Sequence, residues 1–165
     1  MKQKITYDES VLLFDYDKQT GNLIAKTKRK NAKVGKILGC LTNRGYLQIT
    51  LKKKSYFVHS VVWLLNYKCW PVHGIDHING CKTDNRIENL RDVPSKINNQ
   101  NKRKPTAHNK YSKVLGVSWS ERNQAWNPRI RFAGSQINLG HYKDLEKAKH
   151  IYLYAKRMLH DGCTI

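Results

Sequence analysis

The chain has 165 residues, of which 39% are hydrophobic, enough for one modest core or two small ones and too many for a disordered chain. Thirty-one Lys and Arg against twelve Asp and Glu give a formal charge of +19, which repels itself in the folded state unless a polyanion neutralises it. No apolar run approaches the ~20 residues of a membrane span, no signal-peptide core follows Met1, and no C-x-x-C pair occurs, so membrane proteins, secreted proteins and dithiol redox proteins are set aside and cytoplasm is the expected location.

In chain order, residues 11–16 and 23–26, separated by the turn residues Lys18 to Asn22, predict a first hairpin. Residues 26–36 hold six basic side chains and no acidic one, the composition of a solvated loop or of an arm that tracks phosphates. Residues 45–51 alternate with period two, and Lys52 to Ser55 turn the chain into 56–58, a second hairpin. Val58, Val61, Val62, Trp63 and Leu65 fit a short buried helix that ends before Pro71, with His59 as a structural residue. Residues 74–77 then predict a strand, a glycine-bearing loop follows, 89–93 is the returning strand, and Ser95 caps a helix that runs to about residue 101. Cys69, His73, His77 and Cys81 recur every four residues, but Pro71, Gly74 and Gly80 oppose the continuous helix that a zinc stripe requires.

That strand, loop, strand and helix are expected to bring Asp76, His77 and Asn98 together. Asp and the Asn carbonyl are hard oxygen donors suited to Mg²⁺ or Mn²⁺, and the adjacent imidazole remains available as a base. The motifs D-H-I-N-G (76–80), D-N-R-I-E-N-L-R (84–91) and N-x-x-N from Asn98, preceded by V-H-S-V-V-W (58–63), resemble the HNH nucleases, in particular phage and intron-encoded homing endonucleases whose final His is Asn. The resemblance covers roughly residues 40–101. It implies Asp76 and Asn98 as ligands of one divalent metal, His77 as general base, and Asn89 as the residue that braces the loop and orients His77. Asn79, Asp84 and Asn85 read as residues whose hydrogen bonds close the loop. The implied reaction is in-line attack of a His77-activated water on a phosphodiester, the metal stabilising developing charge, with 5′-phosphate and 3′-hydroxyl products. One such centre cuts one strand.

Residues 102–113 are polar and basic and read as a linker. Beyond them, 114–119, 125–132 and 136–142 predict three strands, and 145–160 a helix with Leu145, Ala148, Ile151, Tyr152, Ala155 and Leu159 on one face. Arg129 and Arg131 share a sheet face opposite Trp126, Pro128 and Ile130, able to enter a major groove. G-V-S-W (116–119), W-N-P-R-I-R (126–131) and N-L-G-H-Y (138–142) resemble the three-stranded DNA-binding domain of plant ethylene-response factors and APETALA proteins. The likeness makes Ser118, Arg129, Arg131, Gln136 and Asn138, with Arg122 in the intervening turn, the DNA-binding candidates. Several of these differ from the plant residues, so the plant target sequence does not carry over.

The expected architecture is α+β: an HNH strand-strand-helix nuclease core with N-terminal β-hairpins over residues 1–101, a basic linker over 102–113, and a three-stranded antiparallel sheet packed on one helix over 114–165. The expected function is a metal-dependent, site-selective endonuclease acting on double-stranded DNA, without a small-molecule substrate, as a monomer or homodimer; a phage-encoded origin fits. The competing reading is a noncatalytic DNA-binding regulator, which would not need Asp76, His77 and Asn98 together.

Overall fold

The computed structural model describes residues 4–28, 32–105, 109 and 111–165, so parts of the expected basic arm (29–31) and linker (106–108 and 110) lie outside the described residues. The described chain is a mixed α/β protein with small antiparallel sheets and four α-helices. It divides into two compact units, 4–94 and 95–165.

The first unit begins with a helix, α1 (Tyr7–Leu13), where residues 11–13 were expected to be strand. A capping box explains it: the Thr6 hydroxyl accepts from Glu9 N at 3.2 Å, and Glu9 Oε2 accepts from Thr6 N at 3.0 Å. The expected hairpin shrinks to β1 (Phe14–Tyr16) and β2 (Leu23–Ala25), extended by β3 (Ile37–Leu38). A second sheet joins β4 (Cys40–Leu41), β5 (Leu47–Leu51) and β6 (Lys54–Phe57). Its tight turn is Lys52-Lys53, both at positive φ, so Lys54 and Ser55 are strand residues rather than turn residues. Helix α2 (Val58–Tyr67) follows at once and fills the core with Val58, Val61, Val62 and Leu64, against Phe14, Leu23, Ile49 and Tyr56. Burying these side chains stabilises the unit by roughly 1.5–3 kcal/mol each. The chain then forms β7 (Gly74–His77), a 3₁₀ turn (Ile87–Asn89) and β8 (Leu90–Val93). Asn89, expected to open the strand, belongs to the turn.

The second unit opens with α3 (Ser95–Gln100) and continues as β9 (Val117–Ser120), β10 (Ala125–Phe132), β11 (Ser135–Asn138) and α4 (Leu145–Leu159). Strand order is β11-β10-β9, all antiparallel. The third strand ends four residues earlier than expected, and Tyr142 contributes only an isolated bridge to Trp126. Pro128 sits mid-strand where a missing N–H is tolerated: 125–128 pair with β9 and 129–132 with β11, so Pro128 lies where one pairing hands over to the other. Val117, Ile130, Ala148 and Tyr152 form the core between sheet and α4. The C-terminal tail returns to α3. Gly162 N donates to Gln100 Oε1 at 2.9 Å, Thr164 bonds Asn101, and Lys156 reaches the Lys102 carbonyl. A side chain at Gly162 would meet the Ile97 carbonyl at 2.2 Å.

Candidate active site and nucleic-acid face

Strands β7 and β8 set the register of the first site: Asp76 lies opposite Arg91 and His77 opposite Leu90. Arg91 donates to Asp76 Oδ2 from Nε at 2.9 Å and from Nη2 at 2.8 Å, a forked, charge-assisted contact on a carboxylate that is only 6% exposed. His77, 4% exposed, holds Asn85 Oδ1 at 3.2 Å from Nε2. Burial pulls His77 below its ordinary pKa, outweighing the Asn85 bond and the Asp76 and Asp84 charges that raise it. The ring is therefore neutral at pH 7.

The loop between the strands is closed by its own side chains. Asn89 accepts from Asn79 N at 2.9 Å and donates to the Asp84 carbonyl at 2.8 Å. Asn79 Nδ2 reaches Asp84 Oδ2 at 2.7 Å, and its Oδ1 accepts from Cys81 N. Arg86 grips both Asp84 oxygens, at 2.9 and 2.7 Å, and holds that carboxyl down at about 2. The first hairpin braces the loop from outside: Tyr16 Oη accepts from Ile87 N at 2.8 Å and donates to the Asn85 carbonyl at 3.2 Å. Gly21, at φ +76, has no room for a side chain, since a Cβ would meet Arg86 N at 2.5 Å.

Three groups near His77 were not singled out from sequence as site residues. Asn85 touches the imidazole rather than only closing the loop. Tyr46 and His59 place their ring centroids 5.9 and 5.2 Å from that of His77. Burial, then the neighbouring His77, pushes His59 down to about 3, so it stays uncharged. Its position in V-H-S-V-V-W was a visible signal. The proximity of Tyr46, thirty-one residues before His77, depends on the β4–β5 turn and had none. Asn98 lies on α3, half-buried, in the second unit. Among the described residues no cluster of three or more His, Cys, Asp or Glu forms a metal cage, and Gly74–His77 is strand, so the spaced Cys and His residues share no helix face. Asp76, in the first unit, and the Asn98 amide carbonyl, in the second, are each hard oxygen donors of the kind that Mg²⁺ or Mn²⁺ takes.

In the second unit, cross-strand pairing puts Asn127 opposite Ser118, Arg129 opposite Asn138 and Arg131 opposite Gln136, all on one face. Ser118, Arg129, Arg131, Gln136 and Asn138 are exposed there, and Arg122 is exposed in the 121–124 turn. Asn127, wholly buried, ties the face together: its Nδ2 donates to Asn138 Oδ1 at 2.6 Å and to the Gly140 carbonyl at 2.7 Å, and its Oδ1 accepts from Arg129 Nε. Trp119 and Trp126 pair edge to face at 4.9 Å across β9 and β10.

Residues 56–100 match the family model described as HNH endonuclease. Protein 3.8 of Escherichia phage T7 is 33% identical over 86 residues, which cover 52% of this chain and 69% of that protein. No solved structure matches.

Proposed function

The chain belongs to the HNH endonuclease family, and from that premise we propose that it is a metal-dependent, site-selective DNA endonuclease of homing type that nicks one strand per active site and leaves 5′-phosphate and 3′-hydroxyl ends. The observation that carries this reading is the buried His77, neutral and held by Asn85 beside the Asp76 carboxylate. With Asn85 Oδ1 accepting from Nε2, the accepting atom of the neutral ring is Nδ1, which takes the proton of the attacking water. Asn89 acts at one remove, fixing the loop on which Asn85 stands. Asp76 and Asn98 are the residues that would hold the divalent ion, which when bound supplies charge stabilisation at the phosphate. Arg91 keeps the Asp76 carboxylate aimed from the neighbouring strand. The second unit is the targeting domain, related to the ethylene-response-factor and APETALA type, with Arg129 and Arg131 at the centre of the DNA-facing sheet and Ser118, Arg122, Gln136 and Asn138 around them. The strong positive charge favours this polyanionic substrate.

The test is incubation of the purified protein with supercoiled DNA and Mg²⁺, followed by sequencing of new ends. Relaxed circles with a recurrent 5′-phosphate end, lost on chelation, are the expected result. DNA bound but left intact would make the protein a regulator instead.

A further inference from the structure

Beside the imidazole pair, the first unit has a cavity of about 450 Å³ whose lining includes Arg44, Tyr46, Phe57, His59, His73 and Lys4. Among the described residues no acidic side chain lines it. Its position follows from the β4–β5 turn. Lys82, on the loop that follows His77, donates to the Arg44 carbonyl at 2.8 Å and lies 4.7 Å from the centre of the Tyr46 ring, so the turn is docked on the catalytic loop. Tyr46 consequently faces two ways, its ring close to those of both His59 and His77. Two lining residues, Tyr46 and His59, thus lie beside the His77 ring, Lys4 and Arg44 supply the cations, and Tyr46 and Phe57, centroids 5.5 Å apart, supply ring surface.

Resting on the nuclease reading, we propose that this cavity is a nucleotide subsite for the strand being cut: it takes the unit adjoining the cleaved bond, Arg44 pairing its phosphate and the Tyr46 and Phe57 rings carrying its sugar and base. The physical case is complementarity. A single nucleotide fits the volume, a guanidinium matches a phosphate in planar, forked geometry, and aromatic faces accept any base without reading sequence. His59 stays uncharged, which leaves the attraction for a phosphate to Lys4 and to Arg44, an exposed residue.

Titrating the full-length protein with thymidine 3′,5′-bisphosphate in the absence of metal, followed by NMR, tests this independently of any cleavage. Shifts at Tyr46, Phe57, His59 and His73 are expected, with about tenfold weaker binding in Arg44→Ala, the loss of one charged hydrogen-bonding partner. Lys53→Ala, which removes an exposed charge at the β5–β6 turn, is expected to bind as the parent does. Shifts that avoid the cavity, equal affinity in Arg44→Ala, or equal weakening in Lys53→Ala would each overturn the subsite. Failure to cut DNA with Arg44-dependent binding retained would refute the nuclease reading and leave the subsite standing.

Discussion

The loop that follows β7 and the exposed face of β9–β11 are both rich in Asn, Asp and Arg, yet they use these side chains in opposite ways. In the loop Asn79, Asp84, Asn85, Arg86 and Asn89 are bonded to backbone or to a neighbour, and Asn85 and Asn89, like Asp76 and His77 on the strand before them, are no more than 6% exposed. On the sheet the corresponding groups stay in water, and only Asn127 is buried, as the link between Arg129 and Asn138. A reactive group needs one orientation and a shifted proton affinity, which desolvation and saturated hydrogen bonds supply. A recognition group needs reach, and gives up its water only when the partner arrives. Chemistry and affinity are therefore expected to separate on mutation.

The largest effect is expected from His77→Ala: cleavage falls at least ~10²-fold while DNA affinity measured by electrophoretic shift is unchanged, and parental rates in this variant would dismiss His77 as the base. Next comes Asn89→Ala, which leaves Asn79 N–H and the Asp84 carbonyl without their partner. Chemical denaturation is expected to show a loss of about 1–3 kcal/mol, together with slower cleavage; an unaltered midpoint would mean that the loop does not depend on this brace. Acid provides a milder probe of the same buried region. His59 is uncharged in the fold down to about 3 but takes a proton near 6.5 in the unfolded chain, so its contribution is complete above 6.5 and is lost as pH falls from there. Urea midpoints at pH 7, 6 and 5 are expected to decline, for this one proton, by the equivalent of about 0.7 kcal/mol over the first unit and about 1.2 kcal/mol over the second, and stability that is flat or rising toward acid would contradict the buried state. The smallest effect belongs to the sheet. Arg131→Ala is expected to flatten the plot of log affinity against log salt by about one unit, as for a phosphate contact. Arg129→Ala, losing a guanidinium already oriented by Asn127, is expected instead to relax preference at one base pair, by about 1–3 kcal/mol. Identical behaviour of the two variants in binding assays across salt and sequence would erase the distinction.

Much of this arrangement was legible where residue type and period agreed. The alternation at 125–132, the apolar face of α4 and the apolar run of α2 matched the elements found, because each pattern reflects one buried face. The motif from Asp76 to Arg91 marked its strands well, since glycine and asparagine announce the loop between them. Three things did not show. The strand-like composition of 11–16 masked the Thr6-Glu9 capping box, which decided the conformation of residues 11–13. Lys52 and Lys53 occupy positive φ without the Gly or Asn that normally signals such a turn. The nearness of Tyr46 to His77 comes from the packing of one turn on another, a nonlocal contact that no local period encodes.

The return of the tail to α3 puts the helix on a schedule. At six residues α3 is too short to persist alone, and the partners that tie it down, Gly162 and Thr164, are synthesised more than sixty residues after it. A ribosome-bound chain can therefore complete the whole His77 loop and still lack the tail that holds the helix bearing Asn98. The order of synthesis makes the β9–β11 sheet and α4 precede the last fastening of α3, so that helix is secured only in a chain that already carries the whole sheet.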